Sequence, residues 1–135
     1  MSVATRLWTG RTLSALAVLF LIFDTVIKFL EIPPVTESFT QLGYSPSLAW
    51  TIATIELVCL AVYLWPRTSV IGAVLWTGYL GGAIATHVRV GSPLFSHVLF
   101  PIYIAALLWG GLLLRDERLR RLFAVKSPNL QIPIL

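Results

Sequence analysis

Asp24, Lys28 and Glu56 interrupt apolar runs of hydrocarbon length, and His87, Arg89 and His97 bracket the Gly91-Ser92-Pro93 turn that joins two more. A charge inside a bilayer costs roughly 3 kcal/mol or more unless it faces a bundle interior and finds partners, so each of these residues marks a candidate functional position. Asp24, Lys28 and Glu31 follow at i, i+4 and i+7, and an acid four residues before a base is the favourable order for pairing. An Asp24–Lys28 bridge of purely structural purpose is therefore one reading. Glu56 has no charged neighbour on its own helical face, which carries Ile52, Cys59, Leu60 and Tyr63. It must pair across helices, with Lys28 or Arg89, or stay protonated and serve as a proton donor or relay.

The chemistry open to such a set is hydrogen bonding or proton exchange with a small ligand. Tyr79, Ala83 and His87 form one helical stripe, which sets a phenol beneath an imidazole where an aromatic or quinone-like ligand stacks; ordinary aromatic packing explains Tyr79 equally well. Pro101 leaves the carbonyl of His97 without its helical donor and predicts a kink there. A metal held by Asp24, Glu56, His87 and His97 is chemically conceivable. The Glu-x-x-His spacing is missing, however, and Lys28 competes for the acids, so metal and bis-histidine haem are disfavoured.

These residues must be positioned by membrane helices. With 57% hydrophobic and 12% charged residues and a mean hydropathy of +0.84, the 135-residue chain is far more apolar than a soluble domain. It reads as all-α, an antiparallel four-transmembrane-helix bundle forming a single membrane domain over 1–126, with helices near 12–32, 48–65, 69–88 and 94–114. A retained first helix is favoured over a cleaved signal peptide, because Asp24 and Lys28 stand where a small-residue cleavage site belongs. Residues 115–124 read as a cytoplasmic amphipathic extension that either meets headgroups or simply carries topology-setting charge, and 127–135 as a loose tail.

Arg6, Arg11, Arg67, Arg115, Arg118, Arg120, Arg121 and Lys126 fall on one side of such a bundle, and Arg89, with Lys28 reaching toward it, on the other. Both termini are then cytoplasmic, and the formal charge of +4 reflects topology rather than nucleic-acid binding. Trp65 and Trp109 suit the cytoplasmic interface. The outer loop from Pro33 to Pro46 has room for one or two helical turns over Thr36 to Leu42, closed by Gly43, either capping a pocket or merely connecting helix ends. At 1.5 Å per residue Asp24 and Glu56 lie about 12 Å inside the outer boundary, Lys28 about 6 Å, His97 about 4 to 5 Å and His87 about 2 Å. A funnel opening outward follows. The Gly78 to Gly82 stripe predicts close internal helix packing, with a homodimer face as the alternative. Lone Cys59 excludes an internal disulfide and Cys-x-x-Cys chemistry of the vitamin K epoxide reductase kind.

The run from Tyr79 through Thr86-His87-Val88-Arg89 to His97, then Phe100-Pro101 and Trp109-Gly-Gly-Leu-Leu-Leu-Arg-Asp116, resembles the DoxX-like family of small four-helix membrane proteins. Asp24, Lys28, Leu42-Gly43-Tyr44-Ser45-Pro46 and Glu56 fit the same resemblance, which covers most of the chain. The family takes its name from a subunit of a thiosulfate:quinone oxidoreductase, so the resemblance implies a bacterial inner-membrane protein associated with redox complexes. It transfers no binding residues. The leading expectation is an accessory protein whose outward pocket, built from Asp24, Lys28, Glu56, Tyr79, His87, Arg89 and His97, binds a quinone-like or anionic ligand beside a membrane redox partner. The alternatives are an enzyme using Glu56 and a histidine as acid and base on a lipophilic substrate, and a structural or chaperone protein without ligand.

Overall fold

The computed structural model describes residues 1–124, which are predominantly helical, and four long helices pack around a shared core. Helix α1 runs Val3–Phe29, α2 Pro33–Gln41, α3 Leu48–Leu64, α4 Ser69–Arg89, α5 Phe100–Arg115 and α6 Glu117–Phe123, with a π-helical turn over Leu94–Val98 leading into α5. Lys126 and the tail at 127–135 lie outside the described residues. Among the described residues three stretches are long and apolar enough to cross a membrane: Val3–Phe29, Ser69–Arg89 and Leu94–Arg115. Helix α3 is apolar but has 17 residues, which at 1.5 Å per residue spans about 26 Å.

The first helix starts nine residues earlier than expected because Ser2 caps it, its hydroxyl accepting from the Thr5 N–H at 3.1 Å. It ends before Ile32. Glu31 takes a left-handed conformation (φ 47°) and is exposed, so it does not continue the stack of Asp24 and Lys28. Pro33 and Pro34 then occupy the first turn of α2, where a missing N–H costs nothing, and Gly43 (φ 79°) closes that helix. Before Pro101 the chain follows i→i−5 bonds, Val98 to Pro93 at 3.2 Å and Leu99 to Leu94 at 2.9 Å. The irregularity expected at Pro101 is thus absorbed by a widened turn at Leu94–Val98.

Helix α1 packs against α5 and α3, and α4 packs against α3 and α5. The core is built on Trp76, Tyr63, Leu108, Ala17 and Ala73, all essentially without exposure. Close approach is provided by glycines other than those of the Gly78 to Gly82 stripe. A Cβ on Gly10 would lie 2.8 Å from the carbonyl oxygen of Gly111 at the α1–α5 crossing, and one on Gly72 would collide with the backbone of Tyr63. By contrast, a Cβ on Gly78, Gly81 or Gly82 would meet nothing within 4 Å. The expectation that this stripe packs a neighbouring helix is corrected: it borders open space.

Tyr63 ties α3 to three other helices. Its hydroxyl donates to the Leu108 carbonyl at 3.0 Å and lies 2.9 Å from Ser14 Oγ, while its own carbonyl accepts from Ser69 at 2.7 Å. Trp109 donates its indole N–H to Thr77 at 2.8 Å, tying α5 to α4. Asp116 ends α5 and caps α6 by accepting from the Leu119 N–H at 3.1 Å; Leu119 joins the core while Leu122 and Phe123 stay exposed.

Candidate functional site

Glu56, in the middle of α3, is completely buried. Its Oε1 accepts from Lys28 Nζ at 2.5 Å and from the Tyr79 hydroxyl, and its Oε2 accepts from Thr25 at 3.1 Å. Lys28 also donates to Asp24, one turn back on α1. Every acceptor oxygen of the buried carboxylate is thereby engaged, which is the condition for tolerating it there. Three helices supply the set: α1 gives Asp24, Thr25 and Lys28, α3 gives Glu56, and α4 gives Tyr79. Thr25 donates a second, bifurcated bond to the Leu21 carbonyl at 2.8 Å, and the Tyr79 ring rests edge-on against Trp76 with centroids 5.3 Å apart.

Above this network lies a cavity of about 620 Å³. Asp24, Lys28 and Tyr79 line it; Glu56 stands one layer behind them. The walls are mainly apolar, with Phe20, Ile52, Leu80, Phe100 and Ile104 from the long helices, and Val35, Ser38 and Phe39 from α2. Phe20 and Phe100 meet edge to face at 5.0 Å. Gly78 and Gly82 face the same space, so their missing side chains widen the cavity instead of drawing helices together. Ammonium groups carry three N–H donors, and among the described residues Lys28 uses two of them.

His87, His97 and Ser96 line the cavity as well. The imidazole rings stand 5.5 Å apart; His87 Nδ1 lies 3.0 Å from Ser92 Oγ and His97 Nδ1 lies 2.7 Å from Ser96 Oγ. Arg89 does not line the cavity. It is exposed and donates to the Leu42 carbonyl, packing over the Gly43 turn. Together with the 2.9 Å bond between the Tyr44 hydroxyl and Thr86 Oγ1, it fastens the end of α2 to α4. Of the seven candidate residues, five line one cavity, Glu56 stands behind them, and Arg89 holds the segment that covers it. Thr25 carries no charge whose cost in an apolar run demands a partner, and Tyr44, Ser92 and Ser96 lie in or beside turns, where a hydroxyl is ordinary.

The match to known families agrees with this layout. The DoxX-like family model matches residues 12–111, which include all residues that line the cavity and leave out α6. No curated protein and no solved structure matches the chain. With about three quarters of its length matched, from within α1 to Gly111 of α5, the chain belongs to the DoxX-like family of membrane proteins.

Proposed function

We propose that this protein is a four-helix antiparallel bundle of the bacterial inner membrane, both termini cytoplasmic, whose cavity binds a small neutral quinone-like molecule as an accessory to a membrane redox complex. The carrying observation is the pairing of a buried polar network, Lys28 with Asp24, Glu56 and Tyr79, with a cavity of about 620 Å³ whose walls are mostly apolar and aromatic. That volume and lining are typical of small-molecule sites, where a few polar groups orient an apolar ligand. A ring carbonyl suits the remaining Lys28 N–H, and Phe20, Phe39 and Phe100 offer ring faces and edges. An anionic ligand is disfavoured, because two carboxylates already face the single ammonium. Direct acid–base catalysis by Glu56 is disfavoured too, since Lys28 and Tyr79 separate it from the cavity.

Photo-crosslinking tests this reading. A short-chain azidoquinone illuminated with the protein in nanodiscs should label segments 33–42 and 78–87, and excess unlabelled quinone should suppress the labelling. Labelling confined to the exposed faces of α1 and α3, or unaffected by competitor, would contradict it.

A further inference from the structure

A second concavity lies at the opposite end of the bundle and shares no lining residue with the first cavity. There a groove of about 650 Å³ is bordered by Arg11 of α1, Pro66 and Ser69 of the α3–α4 turn, Arg115 of α5, and Arg118 and Arg121 of α6. Two acids share it, and both have partners. Glu117 accepts from Arg121 at 2.8 Å, and Asp116 accepts from the Leu119 N–H. Among the described residues Arg11, Arg115 and Arg118 have no carboxylate partner.

Arg115 is held in place before any ligand arrives. Its guanidinium sits over the Tyr63 ring, 5.6 Å from the centroid, and donates to the Tyr63 hydroxyl at 3.3 Å. Tyr63 is itself fixed by Ser14 and Leu108. A guanidinium fixed over Tyr63, flanked by Arg11 stacked on Trp8 and by Arg118, neither with a carboxylate partner among the described residues, matches the several acceptor oxygens of a phosphate.

From this arrangement we infer that the groove binds a phosphate-bearing anion, presented by the headgroup of an anionic phospholipid. The lipid source follows from the neighbouring surface: Trp8, Leu122 and Phe123 are exposed beside these arginines, at the end of the apolar helices α1 and α5, where acyl chains run. A soluble phosphate would use the arginines and leave that apolar rim without a function.

The test uses the full chain in detergent, titrated with phosphatidylglycerol or phosphatidylcholine and read by native mass spectrometry. The wild type should retain phosphatidylglycerol preferentially. Arg11→Gln/Arg118→Gln should weaken that binding roughly tenfold or more, while Arg67→Gln/Arg89→Gln, which removes equal charge outside the groove, should leave it unchanged. Millimolar inorganic phosphate separates the sources: failure to displace the lipid assigns the site to headgroups, and full displacement assigns the same phosphate site to a free anion. Equal binding by the two double variants overturns the proposal. Should Arg11→Gln/Arg118→Gln not fold, Arg118→Gln is compared with Arg67→Gln; a several-fold loss in the first alone supports the site, and equal binding overturns it.

Discussion

The ammonium of Lys28 lies 2.5 Å from a carboxylate oxygen of Glu56, joining α1 to α3 at a point where Glu56 has no exposed surface and the Lys28 side chain only 13%. The contact is both a structural fastener and the wall of a cavity, and variants separate the two roles.

Losing Lys28 should harm stability most. Lys28→Met leaves Glu56 buried with no cation, a situation that costs about 3–5 kcal/mol. Glu56→Gln keeps an acceptor for Tyr79 and leaves Lys28 its bond to Asp24, so the loss should be about 1–2 kcal/mol. Asp24→Asn removes the more exposed of the two acids, 29% against none for Glu56, and leaves Lys28 paired with Glu56, so it should cost under about 1 kcal/mol. Unfolding measured in detergent should rank the three in that order; stabilisation by Lys28→Met would contradict the assignment of Glu56 as a paired carboxylate.

Tyr79→Phe should remove one donor from Glu56 without opening a cavity, costing about 1–2 kcal/mol. Because the phenol also lines the cavity, quinone affinity should fall in the same variant. Lost stability with unchanged affinity would place Tyr79 in the scaffold only.

The α2 segment should loosen when its fastenings are cut. Tyr44→Phe removes the bond to Thr86, and Gly43→Ala forces a side chain into a left-handed conformation at a cost of about 1 kcal/mol. Both should speed amide exchange across Pro33–Gln41 while leaving α5 unaffected, and a bound quinone should slow it again. Uniform exchange changes throughout the chain would refute a locally attached cover.

Glycine substitutions should sort by what each would touch. Gly72→Ala meets the Tyr63 backbone and Gly10→Ala meets the Gly111 carbonyl, so each should destabilise by about 2 kcal/mol or more. Gly81→Ala meets nothing and gains up to about 1 kcal/mol of helix propensity. Unfolding in detergent that fails to separate Gly72 from Gly81 would contradict the packing described.

Much of this site was legible because charge is expensive in an apolar setting. Asp24, Lys28 and Glu56 could be expected to meet, since spacing set Asp24 beside Lys28 and the absence of any charge on its own helical face sent Glu56 across the bundle. The short α2 helix and its closing Gly43 were readable from turn chemistry. The roles of the glycines were not. Gly10, Gly72 and Gly111 pack closely while the denser Gly78 to Gly82 stripe opens a cavity, and one-dimensional spacing gives both the same appearance. Thr25 was not legible for a related reason: a hydroxyl can satisfy itself on a backbone carbonyl, here that of Leu21, so its presence in an apolar run forces no tertiary partner.

Gly81 and Gly82 provide the most direct measurement. They are adjacent on α4, neither would bring a Cβ within 4 Å of another atom, and only Gly82 lines the cavity. A short-chain quinone titrated against the protein in nanodiscs, followed by quenching of tryptophan fluorescence, should bind saturably to the wild type and to Gly81→Phe with the same Kd. Gly82→Phe, folded to the same degree by circular dichroism, should lose saturable binding. Equal affinity in all three proteins would contradict a ligand site between Lys28, Tyr79 and α2.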